Sequence, residues 1–328
     1  MNLTTKYLGL NLRNPLVIGS SGLTDNVEKI KKLENCGAGA IVLKSLFEEQ
    51  ININIEKTLS ESGETHPDAR DYIEGYTKDK TIEEYIGLIK SAKKEVNIPI
   101  IASINCITDS DWANFASEIE SAGADALELN IALLPSDVDT DSKKYEEMYF
   151  KIIQKVHKNC RLPLSVKISF YSSGLANLIY KLSASGMIEG ITLFNRFYNP
   201  DINLETLELD SANVLSHPEE YTLPLRWTAL LAGKVKANIA ATTGIHSGKT
   251  AAKLILAGAD TVHIVSAIYK HGFEYIHTVL EELESICKKH GFNSIEQMRG
   301  KASFLHNKKY NTTFERIQFM KYFGGLEI

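Results

Sequence analysis

Four times along the chain the same order of residues recurs: an amphipathic stretch, a glycine among small neighbours, then a short apolar run. Cys36-Gly37-Ala38 precedes the run 40–45, and Ala122-Gly123-Ala124-Asp125 precedes 126–131. Ser185-Gly186-Met187 precedes 190–195, and Ala257-Gly258-Ala259-Asp260 precedes 261–267. Each reads as a helix end closed by a left-handed glycine, a short loop and a buried strand. Four more strand-like runs lie between them, at 16–20, 99–105, 164–169 and 239–243. Pro99 and Pro163 stand at the head of two of these, where no ladder hydrogen bond is lost.

Eight strands alternating with helices predict a parallel sheet. Eight such units predict a closed (β/α)8 TIM barrel, with a doubly wound open sheet as the alternative. The segment before Asn14 alternates around Gly9 and reads as an N-terminal hairpin closing the barrel floor. Long connections at 46–80, 132–144 and 196–223 follow the second, fourth and sixth strands, and so fall on the C-terminal face, where barrel active sites are built. Residues 1–328 read as one domain, with 301–328 as a C-terminal extension whose Phe314, Ile317, Met320 and Phe323 fall near helical spacing.

Composition narrows the function classes. With 328 residues, 44% hydrophobic, the chain can fill one large barrel, and a net charge of -5 without a Lys/Arg stripe argues against nucleic acid as partner. Cys36, Cys106, Cys160 and Cys287 are scattered, without metal-type spacing, and read as reduced thiols of a cytoplasmic protein. The first residues lack the apolar core of a signal peptide, and no run approaches the ~20 apolar residues of a membrane helix. A small-molecule substrate is the expected partner.

Candidate chemistry gathers at the strand ends. In 238–267 a glycine turn at Thr243-Gly244 and a strand end at Val265-Ser266 stand where the last two barrel loops hold a phosphate on backbone N–H groups. Lys44 and Lys167 end the second and fifth strands, and a lysine there is costly unless it meets an anion or a polar ring. The alternative is an ion pair, and Glu128 reads as the acidic partner of a lysine inside the barrel. Asn105, Asn130, Asn195 and Arg196 end the third, fourth and sixth strands, and carboxamides suit an amide-like heterocycle because they donate and accept side by side.

Taken in order, these residues resemble the dihydroorotate dehydrogenase family of FMN flavoproteins. The resemblance runs through Asn14-Pro15, Ser20-Ser21-Gly22, residues 39–45, Asn130, Ser165-Val166-Lys167, Asn195, Thr243-Gly244 and Val265-Ser266. It continues through 290–295 to Arg299-Gly300. The resemblance implies FMN held by Ser20, Ser21, Gly22, Lys44, Ser45, Asn130, Lys167, Thr243, Gly244, Val265 and Ser266, and a homodimer. It implies catalytic roles for Lys44, Asn130 and Lys167, and a heterocyclic substrate held by Lys44, Asn130, Asn195 and Arg196. The implied reaction is hydride transfer between flavin and a dihydropyrimidine-like molecule, either the dihydroorotate-to-orotate step of pyrimidine biosynthesis or a changed substrate. The alternatives are a sugar-phosphate barrel enzyme without flavin and an FMN-binding protein without redox turnover.

The chain departs from the family on the substrate side. The Cys or Ser base of a motif resembling Asn-x-Ser-Cys-Pro-Asn is replaced in Asn130-Ile131-Ala132-Leu133-Leu134-Pro135, where Leu133 takes the base position. The family's substrate loop is replaced by residues 66–80, and its paired glycines after the sixth strand have no match in 221–226. Replacement bases are sought among Tyr171, Tyr198, Cys106, His66 and Asp137, and Arg196 and Arg226 are candidate carboxylate clamps.

Overall fold

Runs that are apolar on both faces are stable in the middle of a sheet covered on each side. The computed structural model describes residues 1–47, 56–57, 67–105, 112–211 and 213–306, and it places the eight runs side by side in one sheet. A two-stranded hairpin, β1 (Thr5–Tyr7) and β2 (Leu10–Leu12), leads into β3 (Leu16–Ile18), β4 (Ala40–Val42), β5 (Leu46–Phe47), β6 (Ile100–Asn105), β7 (Ala126–Ile131), β8 (Leu164–Ile168) and β9 (Gly190–Leu193). An exposed hairpin, β10 (Pro200–Ile202) and β11 (Leu209–Ser211), is followed by β12 (Asn238–Thr242) and β13 (Thr261–Ile264). Between the barrel strands run α1 (Val27–Asn35), α2 (Pro67–Glu95), α3 (Trp112–Ser121), α4 (Ser142–Asn159), α5 (Leu175–Ala184), α6 (Thr222–Leu231) and α7 (Gly248–Ala257). After β13 come α8 (Ser266–His271), α9 (Tyr275–Lys289) and α10 (Ile295–Met298).

The hydrogen-bonded order β4-β3-β13-β12-β9-β8-β7-β6 returns to β4 through Val42↔Ile101, so the parallel sheet closes into a (β/α)8 barrel and the open-sheet alternative is excluded. The recurring acidic residue behind the helix-closing glycine has a structural duty. Asp125 accepts the Ile100 N–H at 2.7 Å, and Asp260 accepts the Ile239 N–H at 2.7 Å. Glu189 does the same for Leu164 at 2.7 Å. Each carboxylate accepts an N–H at the start of a neighbouring strand, while Arg299 pairs with Asp260 from beyond α10.

The hairpin at the start of the chain plugs the barrel. Tyr7, Leu8 and Leu12 pack with Val17, Ala40, Val42, Ile101, Ala126 and Ala240, apolar residues of the barrel strands. Leu8 fits because Gly190 lacks a side chain, since a Cβ there would strike the Leu8 methyl. Strand side chains alternate, so the next inward positions carry Ser103, Asn105, Glu128, Asn130, Ser165, Lys167, Thr192 and His263. The interior is apolar at the floor and polar toward the C-terminal rim.

The second strand is broken. Val42 opposes Ile101 and Leu46 opposes Ile104, four steps against three, so 43–45 form a bulge with one extra residue. The expected continuous strand 40–45 therefore ends at Val42, and Lys44 is exposed. The connection expected at 46–80 is also shorter than its bounds, because α2 starts at Pro67, which serves as a first helical residue without loss of a needed N–H. Its polar first turns carry little amphipathic signal, which is why they read as loop.

In the C-terminal extension, the N–H groups of Ala302 and Phe304 donate to Leu256 and Ala229 at 2.8 and 3.0 Å, docking this stretch on α7 and α6. The helical spacing expected from Phe314 to Phe323 lies outside the described residues. Among the described residues no helix is long and apolar enough to cross a membrane.

Candidate active site

Lys167 occupies an inward position near the end of β8, in register with Asn130 of β7 on one side and Thr192 of β9 on the other. Beneath it lies a buried chain of hydroxyls. Thr192 donates to Glu128 Oε2 at 2.8 Å, Ser165 Oγ meets Thr192 Oγ1 at 3.3 Å, and Tyr7 Oη meets Ser165 Oγ at 3.1 Å. Glu128 is thus hydrogen-bonded to a threonine, and the Lys167 ammonium acts on it through space. Burial pushes the Glu128 carboxyl above the usual carboxylate range, an effect that Lys167 offsets in part.

Across the barrel, His263 is buried on β13, and burial together with the nearby Lys167 charge pushes its imidazole down to about 3. The unfolded chain takes up a proton below the ordinary histidine pKa of about 6.5, whereas the folded chain waits until about 3, so this residue withdraws stability as pH falls through that window. His263→Gln is expected to be less destabilised by acid than the parent, by about 2 kcal/mol at pH 5 relative to pH 7. Parallel denaturant titrations of both proteins at the two pH values check this, and an unchanged difference between them would refute it.

The carboxamides converge. Asn195 Nδ2 donates to Asn130 Oδ1 at 2.6 Å, and Asn105 stands opposite Asn130 on the neighbouring strand. The bulge brings Ser45 back to the inner face, where its hydroxyl meets Ser103 at 2.7 Å and Ser20 at 3.0 Å. The Ser45 N–H also donates to Ser20 Oγ at 2.8 Å. Ser20, Ser21 and Gly22 form the turn that leaves β3, with Ser21 Oγ donating to the Gly19 carbonyl at 3.2 Å. Gly22 is closely covered, since a Cβ there would stand 2.8 Å from Tyr269 Oη.

The turn after β12 carries two left-handed residues, Thr243 at φ 80° and Gly244 at φ 72°. A β-branched residue in that region is strained, and such strain concentrates at ligand sites. Gly244 N–H donates to Ser216 Oγ at 3.3 Å, and Ser216 N–H donates to Ser266 Oγ at 3.0 Å. Ser216 Oγ also meets His246 Nε2 at 3.1 Å, and Lys270 Nζ donates to its carbonyl at 3.1 Å. Ser216 therefore ties the sixth loop to both halves of the expected phosphate cradle. Sequence reasoning missed it, because a lone serine in a long connection carries no local signal.

Arg196 is placed differently from the expected carboxylate clamp. Its Nε donates to Glu220 Oε2 at 2.8 Å and its Nη1 to the carbonyls of Asn213 and Val214 at 3.0 and 3.1 Å. The guanidinium folds the sixth loop against the rim, and the acidic partner is Glu220. Arg226 is exposed on α6. Among the candidate bases, Asp137 is committed to its own turn, accepting from Thr140 Oγ1 at 2.5 Å and from the Asp139 N–H at 3.0 Å. Tyr171 stacks on Phe170 at 4.1 Å and meets Phe197 edge-on at 5.4 Å, while Tyr198 is exposed. Leu133 is buried in the main apolar cluster. Cys106 and His66 lie outside the described residues.

A closed parallel barrel with a half-buried inward lysine, a carboxamide cluster and a turn strained at Thr243 along one rim defines a small-molecule site of the barrel-enzyme class. The family model described as dihydroorotate dehydrogenase matches residues 2–287, and the chain belongs to that family. It is 25% identical over 313 residues to the catalytic subunit of dihydroorotate dehydrogenase B (NAD(+)) of Thermoplasma volcanium, covering 92% of this chain and 98% of that one. It is 23% identical over 322 residues to the same-named subunit of Pyrococcus furiosus, covering 92% and 99%. It is 23% identical over 344 residues to the chloroplastic dihydropyrimidine dehydrogenase (NADP(+)) of Arabidopsis thaliana, covering 95% of this chain and 78% of that one.

Proposed function

We propose that the protein is an FMN-dependent oxidoreductase acting on the CH–CH bond of a dihydropyrimidine-like ring. The observation that carries this reading is Lys167, an ammonium set among Asn130, Thr192, Glu128 and His263 on the inner face of the barrel. A cation there stabilises negative charge developing on a ring above it. The residues fit a phosphorylated flavin: the buried acceptor Asn105 Oδ1 and the buried His263 Nε2 have no hydrogen-bond partner, and the Gly244 turn leaves no room for a side chain. When bound, FMN would supply hydride acceptance. Thr243, Gly244, Val265 and Ser266 would hold its phosphate. Ser20, Ser21, Gly22, Ser45, Asn130 and Lys167 would line its ring system, with Lys44 and Asn195 turned to the substrate.

Leu133 cannot take a proton, and loss of a general base costs about 10²–10⁴-fold in rate. Turnover of dihydroorotate is therefore expected to be slow. The visible spectrum of the purified protein, before and after anaerobic addition of dihydroorotate, tests the reading. Flavin absorbance that bleaches supports it. Flavin absorbance that persists against dihydroorotate and against a panel of dihydropyrimidines favours an FMN-binding protein without turnover, the reading that Leu133 supports. A colourless protein that cannot be reconstituted with FMN would refute the flavin assignment.

A further inference from the structure

Asn105 is not among the residues that the family resemblance assigns to the site, yet it ends β6 on the inner face, in register with Asn130. It is 5% exposed, and its Oδ1 has no hydrogen-bond partner. A buried carbonyl oxygen without a donor is costly, and in native proteins such atoms are rare enough to require an explanation. Its neighbours supply one. The Asn130 oxygen is engaged by Asn195 Nδ2, which leaves the Asn130 amide hydrogens as the available group. Lys167 follows in register on β8. Across β6, β7 and β8 the rim presents an acceptor, a donor and a cation in that order. This order complements the edge of a planar ring that carries an N–H beside a C=O.

We propose that Asn105 contacts the ligand, and that its carboxamide oxygen accepts the ring N–H of an imide- or ureide-type heterocycle. The proposal rests on the flavin reading and deepens it by naming the ring chemistry. Two rings of that chemistry belong at such a site, the pyrimidine ring of the flavin and that of the substrate, and the experiment has an arm for each.

In the first arm, the dissociation constants of FMN and N3-methyl-FMN are measured by fluorescence quenching on the full chain. In the second, orotate and its N-methyl derivatives are titrated by calorimetry, with and without FMN. In one arm the methylated ring is expected to bind about ten- to a hundredfold more weakly, since the acceptor is left buried and unpaired. Asn105→Leu, of similar volume, is expected to weaken only the N–H ring, so that the two affinities approach one another. A loss in the first arm assigns the contact to the cofactor, and a loss in the second assigns it to the substrate. Equal binding of methylated and unmethylated rings to the unaltered protein in both arms overturns the proposal, as does a preference that survives in Asn105→Leu. Failure of the flavin reading shows separately, as absence of binding by both flavins, and the substrate arm without FMN then still decides the role of Asn105.

Discussion

Lys167→Met is expected to slow reduction of the bound flavin by dihydropyrimidine about 10²–10³-fold, the usual cost of removing a preorganised charge at a reacting centre. Methionine keeps much of the apolar stem and removes the ammonium. The effect is expected to fall on the chemical step because Lys167 belongs to the wall of the barrel, in register with Asn130 and Thr192. Anaerobic stopped-flow measurement of bleaching gives the rate, and the reduction potential of the bound flavin gives an independent readout, expected to fall because negative charge on the reduced ring loses its counter-charge. A variant with full flavin content, unchanged potential and an unchanged rate would remove Lys167 from the mechanism. The variant also tests the electrostatics beneath the site. The buried Glu128 loses the cation that partly offsets its desolvation, and His263 loses one of the two influences that hold it neutral.

The second large effect is expected at the turn after β12. Gly244 adopts φ 72°, and a Cβ there would meet the backbone of Tyr221. Gly244→Val adds a β-branched side chain to a left-handed residue and drives it into the sixth loop, so the turn or the loop must move. A cost of about 2–4 kcal/mol is expected from strain and overpacking together. The Ser216 contacts with Gly244 and Ser266 would be lost with it, and FMN retention through gel filtration is expected to fall with them. Thermal unfolding and flavin content measured on the same preparation check both effects. Normal stability with normal flavin content would show that this turn is not the phosphate cradle.

The barrel was legible in the chain because its seams repeat. A helix needs a left-handed closing residue and a strand start needs its first N–H satisfied, so Gly123-Ala124-Asp125 and Gly258-Ala259-Asp260 mark the same junction twice. The rim was legible only in part. Lys167 and Asn130 announce themselves as polar residues in apolar runs, and the structure puts them side by side. Arg196 carries the same signal, but its partner Glu220 lies 24 residues away, and nothing local distinguishes a loop fastener from a substrate clamp. His263 becomes informative only when register fixes which face it occupies, and the orphan oxygen of Asn105 only when its neighbours are in place. The bulge at 43–45 is invisible without the partner strand, because a bulge is a mismatch between two chains of residues.

That bulge has a consequence for how the site works. A regular strand offers the barrel interior one side chain in two, each held at a fixed height. By admitting one additional residue, this strand presents neighbouring side chains of opposite character at the same spot. Ser45 is an anchor, riveted to Ser20 and Ser103. Lys44, one position before it, is exposed to solvent. A fixed hydroxyl on the inner wall and a solvent-facing charge one residue away thus come from a single irregularity in the strand.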